Sequence, residues 1–403
     1  MEYIKLGELA DVIVSGVDKK TKDGETPVKL CNFVDVYYNW AVTSEMYDSF
    51  MDASARDAEI EKFSLSKGQV ATTKDSETRF DIGIPTYIAD DFKGVLLGYH
   101  CALITPNKEV LNGKYLNALL NSDYAKEYFA NNATGSGQRY TISEDTIKSL
   151  PIPKIPMEEQ IKVGEYFSNI DRKIVNNKKQ NELLKSLCKR LFEYWFIQFD
   201  FPNEEGEPYK ESGGEMSYCE ELKQYIPEGW TTVLLKDILD KVPSTKSFES
   251  KLYKKQAKFP IIDQSPVFIV GYTDDEDNIL TKLPAIVFGD HSTNLKYVNF
   301  PFGRGADGTQ IIYSKDNGIS QIFLFHVLKS TSIPNPGYQR HFKYVKELYI
   351  IKPTSDLVNK FSEQAEQMYD LIKHNVFETV RLEQLKTRFM SMLTSGQVNI
   401  KEL

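Results

Sequence analysis

The sequence predicts an α+β chain built as an internal repeat: two mixed globular domains, each followed by a long coiled-coil-like helix. Three observations predict this. Two helical segments, 157–199 and 355–393, align at an offset of 198 without a gap. Each is preceded by a matched lead-in. Between the halves lies an acidic stretch, residues 201–229, with net charge −6, three prolines and the pair Gly213-Gly214. The expected order is therefore a first domain over 1–155, a helix over 156–200, an exposed irregular linker over 201–229, a second domain over 230–353 and a closing helix over 354–403.

The helices are read from apolar residues spaced alternately four and three apart, which line one face of a helix. In the first, the seam runs through Val163, Phe167, Ile170, Ile174, Asn177, Asn181, Leu184, Cys188, Leu191 and Trp195. Its counterpart runs through Phe361, Ala365, Met368, Ile372, Asn375, Thr379, Leu382, Lys386, Phe389 and Leu393. About 43 residues at 1.5 Å each make a rod on the order of 60 Å long. Such a rod needs a partner along its length, and the other copy is the obvious one. A plain dimerising coiled coil is the alternative. Polar residues inside a seam fix register at some cost in stability, so Asn177 and Asn375 are expected to align the pair.

The globular segments carry short apolar runs bounded by Gly, Pro and Asp, which read as strands. They include Ile261-Ile262, 267–270, 285–288, 311–313 and 322–328. Residues 111–132 read as a surface helix. Phe302-Gly-Arg-Gly305 reads as a turn.

Composition bounds the function. The 403 residues carry Lys+Arg 49 against Asp+Glu 57, a net charge of −8. A uniformly basic nucleic-acid binder is thereby excluded, yet charge is unevenly spread: the second domain is +4 and the first −6. Lys246, Lys251, Lys254, Lys255 and Lys258 form a basic cluster able to track phosphates, or else a solvated loop face. No run of about 18 apolar residues suggests a membrane span, and no signal peptide is evident. The four cysteines follow no metal-ligand spacing and are expected as reduced thiols in a cytoplasmic protein; the five histidines form no HxH or HExxH pair. A P-loop and a GxSxG elbow are missing from the sequence. Gly289-Asp-His-Ser292 suits a turn as well as a site. No enzyme reading is supported.

The lead-ins hold the best candidate site. The first contains Gly135-Ser-Gly with Gln138, Arg139 and Tyr140; the second contains Pro336-Gly-Tyr with Gln339, Arg340 and His341. A matched element in otherwise divergent domains implies a shared job.

Taken together, these motifs resemble the specificity (S) subunit of type I restriction-modification systems, the HsdS family. The resemblance rests on Pro151-Ile-Pro-Lys-Ile-Pro-Met-Glu-Glu-Gln160, on Asn-Glu-Leu-Leu and Leu-Phe-Glu-Tyr-Trp-Phe in the first helix, and on Tyr225-Ile-Pro-Glu-Gly-Trp230. The closing Leu382-Glu-Gln-Leu385 and Phe389-Met-Ser-Met-Leu393 complete it. The second lead-in departs from the pattern, because Lys352-Pro353-Thr-Ser lacks the Glu-Gln of the first.

The resemblance implies two mixed α/β target recognition domains held apart by antiparallel helices in pseudo-twofold symmetry. Each domain would read half of a split, asymmetric double-stranded DNA site, with the helices setting the spacer. The chain would do no chemistry. It would recruit two methyltransferase (M) subunits and restriction (R) subunits, which carry S-adenosylmethionine, ATP and Mg, in phage defence. Base readout needs polar and cationic side chains in loops that enter the groove. The Gln-Arg elements are the first candidates. Lys74, Ser76, Thr78 and Arg79 in the first domain, and His291, Thr293, Asn294, Lys296 and Arg304 in the second, come next. The competing reading is a coiled-coil scaffold or adaptor that displays two binding domains and does not touch DNA. A fused nuclease–methyltransferase is disfavoured, since no segment remains to hold the catalysis.

Overall fold

The computed structural model describes residues 2–306, 308–331 and 340–394. It divides into two units, Met1–Asn176 with Glu378–Leu403, and Asn177–Phe377.

In the first unit, five strands run in the order Ala10–Val14, Cys101–Pro106, Val70–Thr73, Pro85–Ile88 and Ala41–Val42. Val70–Thr73 and Pro85–Ile88 are buried throughout, so they lack the alternation of a half-exposed strand. A second sheet centres on Thr26–Cys31, which pairs antiparallel with Met51–Ala55 and parallel with Val95–Leu97. Tyr3–Lys5 pairs antiparallel with Pro151–Pro153, so the domain's chain enters and leaves side by side.

The second unit repeats this plan. Ala285–Gly289 lies between Leu295–Val298 and Thr309–Ile312. Phe259–Ile262 pairs antiparallel with Gly271–Thr273 and parallel with Phe302–Arg304. Thr231–Leu234 pairs antiparallel with Tyr349–Lys352, again joining entry to exit. The repeat seen in the lead-ins thus extends to the central strand of each sheet and the direction of its two neighbours, although the first unit's larger sheet has five strands and its counterpart three.

The long helices are Met157–Phe192, continued by a π-helical turn at Glu193–Ile197, and Ser355–Thr394. Within each unit they run antiparallel, since contacts rise in number along one and fall along the other. In the first unit Tyr166 packs edge-on against Phe389 at 5.4 Å. Asp171 pairs with Lys386 at 3.2 Å, and the Lys386 ammonium lies 3.7 Å over the Trp40 ring. In the second unit Asn375 donates to Asn181 at 3.0 Å, and Asn177 donates to the Asn375 carbonyl at 3.5 Å. Phe192 meets Phe361 further on. Ile170, Ile174 and Ile372 are buried, while Leu184, Leu191, Met368, Leu382 and Phe389 are half-buried. The Leu393 side chain lies outside the described residues.

Gly164 is the one glycine within either helix, and packing explains it. A Cβ there would sit 2.7 Å from both Lys114 Cβ and the Tyr115 amide nitrogen. The helix passes this close to the buried helix Gly113–Leu120 because residue 164 has no side chain.

Several local expectations change. Residues 322–328 form the helix Gln321–Ser330 rather than a strand. It is capped by Ser320, whose hydroxyl accepts from the Phe323 amide, and is buried all round at 322–328. A short apolar run does not separate these two states by period alone. Residues 111–132 divide into Gly113–Leu120 and Asp123–Asn132, and the first is core rather than surface. Residues 267–270 form no strand: 267–268 bend and 269–270 are irregular. Phe302–Arg304 is a strand, not a turn; a Cβ at Gly303 would meet the Phe248 ring at 2.8 Å. The acidic linker is not wholly irregular: Met216–Cys219 and Gln224–Pro227 form a hairpin whose Cys219 and Ile226 join the second unit's core.

Candidate nucleic-acid interface

The first unit brings together two candidate groups that lie about 60 residues apart in sequence. Thr134–Ser136 and Arg139–Thr141 form a hairpin, and the second strand pairs with Asp75–Ser76, placing Tyr140 opposite Ser76. Gly135 is required here: its φ is +123°, and a Cβ would lie 2.2 Å from the Arg139 carbonyl oxygen. The Arg79 guanidinium lies 5.3 Å over the Tyr140 ring. Ser76 accepts from the Thr78 amide at 3.2 Å, which sets the turn leading to Arg79. Gln138, Arg139, Thr78 and Arg79 are exposed. Lys74 does not point freely outward, because its ammonium pairs with Asp75 at 2.8 Å.

Asp75 organises this sheet. Its carboxylate receives His100 Nδ1 at 2.5 Å as well as Lys74. Burial works against its charge, but hydrogen bonds from Lys74, His100 and Thr141 outweigh that and hold the carboxyl below its ordinary range. Beside Arg79, Phe80 is 81% exposed, and Tyr38 is 78% exposed. The neighbouring Tyr37 hydroxyl donates to Asp81 at 2.6 Å.

The second unit builds a related but more closed arrangement. The turn after Ala285–Gly289 carries Asp290, which is buried. Its carbonyl accepts from the His341 amide at 3.0 Å and lies 2.8 Å from His341 Nδ1. Its carboxylate accepts from the Phe342 amide at 2.8 Å. In the repeat, Phe342 corresponds to Thr141. In the first unit an aspartate just past the central strand holds the strand Arg139–Thr141, and in the second an aspartate in the like place holds His341 and Phe342 at the start of the helix Phe342–Lys346. Asp75 was not a sequence candidate; its signal is position, an acidic residue following an apolar strand in both copies.

The other candidates in this unit divide by exposure. Arg340 and His291 are exposed, whereas His341 is inside and serves the Asp290 clamp. Gln339 lies outside the described residues. Thr293 takes a φ of +56° in the tight turn. Asn294 donates its amide to the Gln264 carbonyl at 2.9 Å. Lys296 is buried, its ammonium held by the carbonyls of Asp263 at 2.8 Å and Val267 at 2.5 Å. Burial lowers its pKa to about 8. Arg304 is half-buried and donates to the Thr245 carbonyl at 3.2 Å. The basic cluster is largely compensated: Lys251 pairs with Glu249, Lys254 with Asp274 and Lys258 with Glu276. Lys255 is exposed. In this unit, Arg340, His291 and Lys255 are thus the candidates best placed to reach a groove.

One contact resembles a nucleophile–base pair. Cys188 Sγ lies 3.1 Å from His326 Nε2 in the second core. Burial pushes the thiol up to about 12 and the imidazole down to about 3, so both are neutral at pH 7. The pair is packing rather than an activated thiolate. Among the described residues, no group of three or more His, Cys, Asp or Glu side chains is arranged to hold a metal ion. No described helix is long and apolar enough to cross a membrane.

Comparison with known proteins bears on this geometry. A family model of the type I restriction modification DNA specificity domain matches residues 1–186. The type I restriction enzyme MjaIX specificity subunit of Methanocaldococcus jannaschii is 25% identical over 324 residues, which is 73% of this chain and 71% of that one. The EcoR124I/EcoR124II specificity subunit of Escherichia coli is 30% identical over 106 residues, 26% of each chain. The crystal structure of the S subunit of a type I restriction-modification system from M. genitalium matches with a TM-score of 0.61 at 15% identity, over 97% of this chain and 95% of that one.

Proposed function

We propose that this chain is a specificity subunit of a type I restriction-modification system, the family that its residues 1–186 match, and that it reads a bipartite, asymmetric DNA site with one domain per half. The observation that carries the proposal is the duplicated clamp. Asp75 and Asp290 each hold residues that adjoin an exposed arginine, Arg139 or Arg340. Two copies of one reader suit two half-sites, as the repeated modules of DNA-binding proteins do.

In the first half-site reader, Arg79, Arg139 and Gln138 are the reaching groups, with Thr78 and Ser76 shaping the turn. Arginine and glutamine offer the bidentate geometry that distinguishes guanine and adenine edges. In the second, Arg340, His291 and Lys255 take that part. Phosphate contacts from the same arginines would position the protein without specifying sequence. The paired helices, with Asn181 and Asn375 fixing their register, act as the ruler between half-sites.

The chemistry belongs to partners. M subunits supply S-adenosylmethionine-dependent adenine methylation, and R subunits supply ATP- and Mg-dependent cleavage. The chain's part is to select where they act, in the cytoplasm.

The test is to co-express the chain with its methyltransferase subunit and map methylated adenines across the host genome. A bipartite motif with a fixed gap is expected. Exchanging residues 1–155 for the corresponding domain of another member should change one half of that motif only. An active complex that methylates without a split motif, or an exchange that alters both halves, overturns the proposal.

A further inference from the structure

The second unit contains a cavity of about 230 Å³ that shares Lys296, and no other candidate residue, with the nucleic-acid interface. Its walls come from both long helices, from Gln321–Ser330, and from the region around Leu295–Val298. Four of the fourteen lining residues are lysines and none is a carboxylate, so the cavity is cationic.

Two tyrosines in the wall make it a built site. Tyr297 is 5% and Tyr369 7% exposed, and their rings meet at 4.9 Å. Neither hydroxyl has a hydrogen-bond partner among the described residues. Neither hydroxyl is among the fully buried unpartnered polar atoms, and both tyrosines line the cavity, so each can donate to a ligand held there. Burial raises both phenols above their ordinary range, so they stay protonated and remain donors at neutral pH.

The lysines differ in how far they are committed. Lys296 is tied to backbone carbonyls, and Lys373 pairs with Asp370 at 2.7 Å. Lys185 makes only an exposed pair with Glu182 at 2.9 Å, of the kind that contributes little and exchanges readily. Lys329 has no ion pair among the described residues; its ammonium lies 5.5 Å from the Phe325 ring centroid. Desolvation, with Lys185 adding to it, holds Lys329 below the usual lysine range. Phe268 and Phe300, edge to face at 5.9 Å, supply an apolar wall.

We infer that this cavity binds a small organic anion: a phosphate or carboxylate head received by Lys329, Lys185, Tyr297 and Tyr369, on a compact apolar body against Phe268 and Phe300. With Lys329 in no ion pair and two phenol hydroxyls without a partner, the wall favours an acceptor ligand that can also draw Lys185 from its exposed pair, and the aromatic wall disfavours a bare hydrated ion. This inference does not rest on the DNA-reading proposal.

The test uses the full chain and phenyl phosphate, followed by calorimetric titration at fixed ionic strength, with inorganic phosphate and phenol as comparators. Saturable binding is expected, tighter than for either comparator. Lys329→Met should weaken it about tenfold or more, and Tyr369→Phe severalfold, with the near-ultraviolet circular dichroism of both variants unchanged. Tyr297→Phe serves if Tyr369→Phe fails to fold. Non-saturable binding, equal binding of phenol, or an unaffected Lys329→Met variant overturns the inference. Displacement of phenyl phosphate by a duplex oligonucleotide would assign the anionic head to nucleic acid; simultaneous binding would assign it to a free small molecule.

Discussion

Lowering the pH from 7.5 to 5 should destabilise the second unit through one buried imidazole. His326 is 2% exposed, lies 3.1 Å from the Cys188 thiol and stacks on Phe192 at 5.5 Å. Burial, with Lys329 adding to it, depresses its folded pKa from 6.5 to about 3. The unfolded chain therefore takes up a proton near pH 6.5 that the folded chain refuses until about pH 3. Unfolding binds protons in that window, so stability is fully present above pH 6.5 and falls as pH drops towards 3. At pH 5 the unfolded state gains about 1.5 pH units of protonation free energy, or roughly 2 kcal/mol. Urea unfolding of the full chain at several pH values measures this, read by tryptophan fluorescence, since Trp195 and Trp230 both lie in that core. His326→Phe keeps a ring against Phe192 and removes the titrating group. Wild type should lose about 2 kcal/mol more than the variant between pH 7.5 and 5. An identical pH dependence in the two proteins, or an imidazole resonance of His326 titrating near pH 6 in the folded state, would refute the reasoning.

Other consequences are as specific. Gly164→Ala should cost about 1–3 kcal/mol by overpacking against Lys114 and Tyr115, seen as a lower melting temperature. Asn375→Ala removes the donor to Asn181 and should cost about 1–3 kcal/mol in denaturant titrations, because a buried amide oxygen is left unpaired. Arg79→Ala and Arg139→Ala in the complex with M subunits should each weaken DNA binding. Each should also reduce the slope of log K against log salt by about 1 if the residue contacts phosphate. An unchanged slope with altered sequence preference would assign base contact instead.

Much of the architecture is legible in the sequence because it is periodic. The seam residues Phe167, Ile174, Cys188, Phe361 and Ile372 are buried as their spacing requires. The asparagines that break the apolar pattern meet, as aligned polar seam residues should. Helix Gln321–Ser330 was hidden by its own burial: apolar on every side, it shows no face. The candidate site is legible in part. Residue type alone selects Lys74, Ser76, Thr78 and Arg79, and Gln138, Arg139 and Tyr140, but only strand pairing sets Tyr140 opposite Ser76 and brings the two groups together. Residue type also selects Lys296 and His341, and says nothing of their burial. The basic cluster looks uncompensated in sequence because its acidic partners Asp274 and Glu276 come some 20 residues later.

Each domain hangs from a two-strand clip, Tyr3–Lys5 with Pro151–Pro153 and Thr231–Leu234 with Tyr349–Lys352. Such a clip is closed by main-chain hydrogen bonds, which are indifferent to the side chains they carry. A gene crossover falling in the clip codons would therefore import a whole foreign domain while asking that its two ends be extended and apolar where they face the core. An exchange of a whole domain would then need one recombination event, provided the incoming ends also supply the apolar residues that Ile152, Ile350 and Ile351 place in the cores.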